Sequence, residues 1–430
     1  MSGSKGSEYL IEIDRLRPGV FIRLQGVPWY RHPFLTSSFR IKDFDQIETL
    51  RALNVKKVIC VPDESLTTPL DVSRKSKVAP HSVLPGENPV PDGYYDEKNK
   101  RIKVLREKKA SVARAVKKYS LSLSQIETLM LSISRGNDQF IEDAIQFSSD
   151  LSSYFLEDCE SIMHVLNIQD DQNDSLYYHS LNVTVLSLIL GRSIGLAETE
   201  MRDLAMGAMF HDIGKSKIEK KILRKKGKLT NVERSVIQKH PFYGVQILSK
   251  NENFPKEAMK IVYQHHERCD GKGYPKKMQF NELSKLTKIL SVANFYDGLI
   301  NKHDSSKSLT PYQALSYMYT KYSGMLDKES LSVFIRCMGI YPPGTIVLLN
   351  NDQIGMVVSV NLAKPLSPSI VLYDPQIPKK EALILDLEHE SDFTITDSVS
   401  PAKLSNDVYE YLSPRSRITY FVDPDSVSEV

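Results

Sequence analysis

Cysteine is scarce in these 430 residues: Cys60, Cys159, Cys269 and Cys337 stand far apart. None falls in a paired thiolate spacing, which excludes a zinc finger, and the scatter fits reduced thiols in a cytosol. Long apolar runs are missing as well. No stretch approaches the roughly eighteen apolar residues that a membrane helix requires. The opening MSGSKGSEYLIEIDRLRPG has no apolar segment of signal-peptide length. The expectation is a cytoplasmic protein without a membrane span. Charge of one sign is not in excess either. A formal net charge of +3 argues against a general DNA binder and still permits a local basic site. With 41% hydrophobic and 25% charged residues, the chain can bury an ordinary core, and its length predicts two or three domains.

What the chain does have is histidine in a pattern. HDIGK occupies 211–215 and HHERCDGKGYP occupies 265–275, with His179 and His240 spaced before and between them. Imidazole nitrogens and a carboxylate suit a borderline divalent cation such as Fe, Mn, Zn, Ni or Co. Adjacent donors, as in His211–Asp212 and His265–His266, leave the backbone in different directions. One pair can therefore serve two neighbouring metals, with Asp212 bridging them. Two metals a few ångströms apart suit phosphoester hydrolysis: they bind phosphate oxygens, acidify a shared water and align the nucleophile.

The pattern H-x31-HDIGK-x24-H-x24-HHExxDGxGYP resembles the HD-GYP family, a branch of the HD phosphohydrolases, over roughly residues 145–340. Every defining position of the second motif matches: His265, His266, Glu267, Asp270, Gly271, Gly273, Tyr274 and Pro275. The resemblance implies an all-helical domain that holds two or three metals, often iron. It implies hydrolysis of cyclic di-GMP to linear pGpG and/or GMP by a metal-bound hydroxide, with 3',3'-cyclic GMP-AMP as an alternative substrate. A weak or inactive cyclic-dinucleotide sensor is a third reading. Alone, a histidine on an apolar helix is more often a satisfied core residue, but His179 stands where the family has its first ligand. The implied metal ligands are His179, His211, Asp212, His240, His265, His266 and Asn294. They hold two divalent ions, Fe first and Mn second. Asp212 and Lys215 are the implied catalytic pair, Lys215 stabilising charge on the phosphate. Asp270, Gly271, Gly273, Tyr274 and Pro275 form the substrate-side loop, and Glu267 orients a partner rather than binding metal.

Three positions depart from the family. Asn294 replaces a carboxylate ligand and offers a neutral amide oxygen, with Asp297 one helical turn on as a weak substitute. Ser175 replaces a glutamate of trinuclear members, which favours two metals over three. After the helix the family's arginine is missing from Asn301–Lys302–His303–Asp304–Ser305–Ser306, leaving Lys302 or Lys307 as point charges without the bidentate fork. Residues 215–228 hold eight Lys or Arg against one Glu, a solvated basic face or a positive rim for an anionic dinucleotide.

The expected organisation is mainly α. A small α+β N-terminal domain spans 1–61 and resembles a domain of unknown function often found ahead of HD-GYP domains. A proline-rich linker covers 62–97, a connecting helical segment 98–144 (read over about 98–135 as an amphipathic, solvated helix), the HD-GYP helical domain 145–341 and a β-rich appendage 342–430. Gly214 is read as letting the chain turn, Thr230 and Glu233 as a capping box, and the last ten or so residues as disordered. Signalling proteins docking on the N-terminal domain or the Gly-Tyr-Pro loop, and a homodimer, are compatible partners.

Overall fold

The computed structural model describes residues 8–25, 32, 34, 38–70, 94–137, 140–157, 159–166, 175–225, 227–302, 307–361, 364–375, 377, 379, 382, 384–390, 393–400 and 403–412. Two compact units divide the chain. The first comprises 1–107, 350–353 and 371–385; the second comprises 108–349, 354–370 and 386–430.

In the first unit, β1 (Tyr9–Glu12), β2 (Phe21–Arg23), β3 (Ser38–Arg40), α1 (Phe44–Ala52) and β4 (Lys57–Cys60) follow in order. The strands make an antiparallel sheet of order β1-β4-β2-β3. Asp43 caps α1 by accepting from the Gln46 amide, which satisfies one orphan donor of the first turn. Ile47 and Leu50 then face a core with Ile11, Ile22 and Val58. The stretch expected to open a linker at 62 is instead tied down as far as Leu70. The Leu66 amide donates to the Gly19 carbonyl at 2.8 Å and the Leu70 amide to the Arg15 carbonyl at 2.9 Å. Trp29 and most of the proline-rich stretch lie outside the described residues.

The helical elements are α2 (Tyr94–Ser134), α3 (Phe140–Glu157), α4 (Cys159–Leu166), α5 (Ser175–Ile194), α6 (Glu198–Phe210), α7 (Lys220–Leu223), α8 (Asn231–Ile237), α9 (His240–Leu248), α10 (Lys256–Gln264), α11 (Lys285–Ile300), α12 (Pro311–Tyr322) and α13 (Lys328–Met338). The connecting helix starts at Tyr94 rather than 98, and its second half is not solvated. Ala115, Tyr119, Ile126, Leu129, Met130 and Ile133 recur at helical spacing and are buried in the main core. A stripe of that kind contributes about 1.5–3 kcal/mol for each large side chain, which explains why this segment joins the core rather than bridging domains.

At the centre lies α6, buried from Leu204 to Phe210. A helix apolar all round belongs inside a core. Gly207 lets it approach α10, since a Cβ there would stand 2.5 Å from Ile261 Cδ1. The predicted capping box is present, with the Glu233 amide donating to Thr230 Oγ1 at 3.2 Å and the Thr230 amide to Glu233 Oε2 at 2.7 Å.

Beyond α13 come β5 (Ile346–Leu349), β6 (Ile354–Ser359), β7 (Ser369–Leu372), β8 (Ile384–Asp386), β9 (Ile395–Val399) and α14 (Asn406–Leu412). The strands form one sheet, β8-β7-β6-β5-β9, and β5 pairs antiparallel with both β6 and β9. The last residues, expected to be disordered, lie outside the described ones. Among the described residues no helix is long and apolar enough to cross a membrane.

Candidate metal centre

Four helices deliver the histidines, each near an end. His179 lies in the second turn of α5, His211 directly follows α6, His240 opens α9 with Pro241 behind it, and His265 follows α10. Proline is tolerated there because the first-turn amides have no helical acceptor. Asp212 then starts a tight 3-10 turn, Ile213–Lys217.

Gly214 is required for a reason other than turning. It has no left-handed φ, but a Cβ there would lie 2.0 Å from the His240 carbonyl oxygen and 2.5 Å from the Gly244 amide nitrogen. The HD turn therefore packs backbone to backbone on α9, which brings Asp212 to His240.

The side chains converge on Asp212. His240 Nε2 is 3.1 Å and His265 Nε2 3.6 Å from Oδ1; His211 Nε2 is 3.4 Å and His179 Nε2 3.7 Å from Oδ2. His179 and His211 meet Nε2 to Nε2 at 3.3 Å. The donors fall into two groups that share the aspartate, one of His179, His211 and Asp212, the other of Asp212, His240, His265 and His266. Burial is nearly complete for His211, Asp212, His240 and His265.

Each ring is held from behind. The Nδ1 atoms of His211, His240 and His265 donate to the carbonyls of Ala208, Ile237 and Val262 at 2.7, 2.7 and 2.9 Å. His179 Nδ1 donates to Asp297 Oδ2 at 2.7 Å. Carbonyl and carboxylate oxygens only accept, so the proton sits on Nδ1 and the Nε2 lone pair is turned inward. Desolvation lowers the His211 and His266 pKa values and takes His265 down to about 3, which favours the neutral imidazole. Burial acts to raise the Asp212 pKa. The Lys215 ammonium and the surrounding histidines outweigh it and hold the carboxyl well below its usual range. Lys215 Nζ reaches Oδ2 at 2.6 Å, while the buried Oδ1 accepts no hydrogen bond. Bare lone pairs facing an orphaned carboxylate oxygen repel one another, and cations between them remove that cost. The donor set of neutral imidazoles and one carboxylate thus fits divalent metals.

Asp297 has a different place from the one expected. Oδ2 takes the His179 ring, while Oδ1 accepts from Asn182 Nδ2 at 2.9 Å and Asn301 Nδ2 at 2.7 Å. With both oxygens engaged it orients His179 and does not substitute as a ligand. Asn294 is half-buried one turn earlier on α11. The side chain of Ser175 and residues 303–306 lie outside the described residues.

The Gly-Tyr-Pro loop folds back onto the histidines. The Tyr274 ring stacks on His266 with centroids 4.5 Å apart, and the peptide to Pro275 is cis. Burial pushes the Tyr274 phenol up, with the charge on Asp212 adding to the effect. Glu267, 3% exposed, accepts from the Lys276 amide at 2.6 Å and the Met278 amide at 3.0 Å. Gly273 is required by close approach, since a Cβ would lie 2.5 Å from Glu267 Cα. Gly271 has a φ of +69°. Asp270 forms a bidentate pair with Arg268 and accepts from the Lys272 amide at 3.1 Å.

Sequence reasoning missed Asn182 and Asn301. Asn182 lies three residues after His179, on the same helical face, and its type amid Leu181 and Val183 was the available signal.

Family descriptions match three segments: the HD domain at 164–329, a domain of unknown function (DUF3391) at 9–144, and a KOW domain associated with the HD domain at 346–407. The chain is 24% identical over 368 residues to the cyclic di-GMP phosphodiesterase PA4108 of Pseudomonas aeruginosa, covering 84% of each protein. It is 33% identical over 149 residues to the cyclic di-GMP phosphodiesterase response regulator RpfG of Xanthomonas campestris, covering 34% of this chain and 39% of that one. It is 30% identical over 164 residues to the 3'3'-cGAMP-specific phosphodiesterase 3 of Vibrio cholerae, covering 38% of this chain and 35% of the relative. A solved structure of Bd1817, an HDG"Y"P protein from Bdellovibrio bacteriovorus, aligns with a TM-score of 0.45 and 16% identity, covering 76% of this chain and 98% of that one. With the HDIGK turn and the complete HHE-to-GYP loop set around one aspartate, residues 164–329 of the chain are an HD domain of the HD-GYP type.

Proposed function

We propose that this chain is a metal-dependent phosphodiesterase that hydrolyses cyclic di-GMP to linear pGpG and/or GMP. The observation that carries the reading is the convergence of four imidazole Nε2 atoms on Asp212, within 3.1–3.7 Å of its oxygens. In this reading His179 and His211 hold one cation, His240, His265 and His266 hold the second, and Asp212 is shared. Asn294, at the position of the family's carboxylate, would offer only a neutral, weaker donor. The ions are Fe or Mn. Bound there, they would supply Lewis acidity towards the phosphate and a water acidic enough to ionise near neutral pH.

The chain's own residues do the rest. The carbonyls behind His211, His240 and His265, and Asp297 behind His179, hold each Nδ1 and aim the opposite Nε2 at Asp212. Lys215, beside Asp212, places a positive charge where negative charge grows on the phosphate oxygens. The stacked His266–Tyr274 pair walls one side of the site, and the protonated Tyr274 phenol is a donor for a phosphate or base oxygen. The basic run 217–228 gives an anionic substrate a favourable approach.

The test is anaerobic hydrolysis of cyclic di-GMP and 3',3'-cyclic GMP-AMP by the purified chain, with metal content measured on the same sample. Turnover of cyclic di-GMP with about two metals per chain supports the reading. Faster turnover of cyclic GMP-AMP would move the assignment to that substrate, which the Vibrio cholerae relative's name makes a second reading. Binding without turnover under both Fe and Mn would make the chain a sensor.

A further inference from the structure

A line of buried hydrogen bonds runs from His179 to a helix outside the HD domain. The Tyr119 hydroxyl, on α2, donates to Asn182 Oδ1 at 2.6 Å. Asn182 Nδ2 donates to Asp297 Oδ1 at 2.9 Å, and Asp297 Oδ2 accepts from His179 Nδ1 at 2.7 Å. Tyr119, Asn182 and Asp297 are 3%, 4% and 1% exposed.

The direction of this line is fixed by chemistry. A carboxylate only accepts, so the Asn182 amide must turn its NH2 to Asp297. That turns its carbonyl oxygen to Tyr119, which must then donate. Without the phenol, the amide oxygen is buried with its acceptor unmet and gains nothing from holding that rotamer. Rotation of Asn182 takes one donor from Asp297, and Asp297 holds the His179 ring from behind. The His211, His240 and His265 rings are held by carbonyls of their own helical turns. Unlike these three, the His179 ring is held by a side chain that a distant element can reach.

We propose that Tyr119 is a positioning residue of the metal centre, acting through Asn182 and Asp297 on His179. Through it α2, which precedes the HD domain, sets the affinity of the His179–His211 side while leaving the His240–His265–His266 side alone. This rests on the proposed two-metal reading of the site.

The experiment uses the full chain, stripped of metal and titrated anaerobically with Mn(II) by calorimetry. Wild type is compared with Tyr119→Phe, which keeps the ring and removes the hydroxyl. The expected result is one binding event weakened about 10-fold, within the range for residues supporting metal ligands, and the other unchanged. For cyclic di-GMP, kcat should fall by a similar factor with KM held. Asn182→Ala should produce the same selective loss, and adding Tyr119→Phe to it should cost nothing more, since the path is already cut. Two unchanged binding events in Tyr119→Phe would overturn the proposal, as would additive losses in the double variant. Both events lost together with a lowered melting temperature would overturn it too, because that is what a packing residue does. If wild type takes up no metal, this proposal is overturned along with the proposed function; if it takes up two metals without turnover, the proposed function alone fails. In the second case the binding arms still decide Tyr119.

Discussion

His240 and His265 face each other Nε2 to Nε2 at 2.9 Å, although each Nδ1 already donates to a carbonyl one turn behind. The helices α9 and α10 hold the rings in that pose, with Asp212 Oδ1 as the third corner. A cation at this corner should stabilise the fold, because it binds the native arrangement and not the unfolded chain. At a free Mn(II) concentration of about 100 Kd the gain is about 2.7 kcal/mol. Differential scanning calorimetry of stripped and reloaded protein should show the melting temperature rise by several degrees.

His265→Ala removes one donor from the second group and leaves the first group intact. Metal content should fall from about two per chain towards one, and turnover should drop at least ~100-fold, the upper range for residues that only support ligands. Metal analysis of the folded variant checks this; retention of two tight metals would contradict the ligand assignment.

Lys215 sits 2.6 Å from Asp212 Oδ2 and supplies no metal bond. Lys215→Gln should therefore keep the metal content and lower kcat by ~100-fold, the scale for losing one preorganised charge-stabilising donor. The same change removes the main favourable charge on Asp212, so its carboxyl pKa should rise. Steady-state kinetics beside metal analysis separates this result from loss of metal.

Acid should destabilise the metal-free protein through its buried rings. The His265 pKa is lowered from 6.5 to about 3 by desolvation, and those of His211 and His266 move the same way. Below pH 6.5 the unfolded chain binds protons that the folded chain refuses. Stability is therefore full above about pH 6.5 and lost as pH falls towards 3, at ~1.4 kcal/mol per pH unit for each such ring. Urea denaturation of stripped protein between pH 7 and 5 reads the slope, and reloading with metal should reduce it.

Gly214→Ala should be as damaging as loss of a ligand, although Gly214 touches no metal. Its Cβ would stand 2.0 Å from the His240 carbonyl oxygen, so the HD turn or α9 must move. A loss of at least ~2 kcal/mol in urea denaturation is expected, together with lowered metal affinity.

The amphipathic and apolar periods of α3, α5, α6, α10 and α11, the strand runs after 341 and the Thr230–Glu233 cap were legible along the sequence, because they are local: each depends on neighbours within a few residues. So were the donor types, since imidazole and carboxylate chemistry belongs to the residue itself. Other features needed the tertiary structure. Gly214 reads as a turn glycine in sequence and is a contact glycine in space, since the atom that excludes a Cβ belongs to His240, on a different element. Asp297 reads as a spare ligand and is the support of His179, because both its oxygens are taken by side chains from α5 and the end of α11. The second half of α2 reads as a solvated connector, and only packing shows that Tyr119 closes a path to the metal centre. Sequence thus determined which imidazole, carboxylate and ammonium groups this protein carries. The tertiary structure decided which of them meet and which hold the others in place, because hydrogen-bond partners 63 to 118 residues apart are chosen by packing and not by spacing.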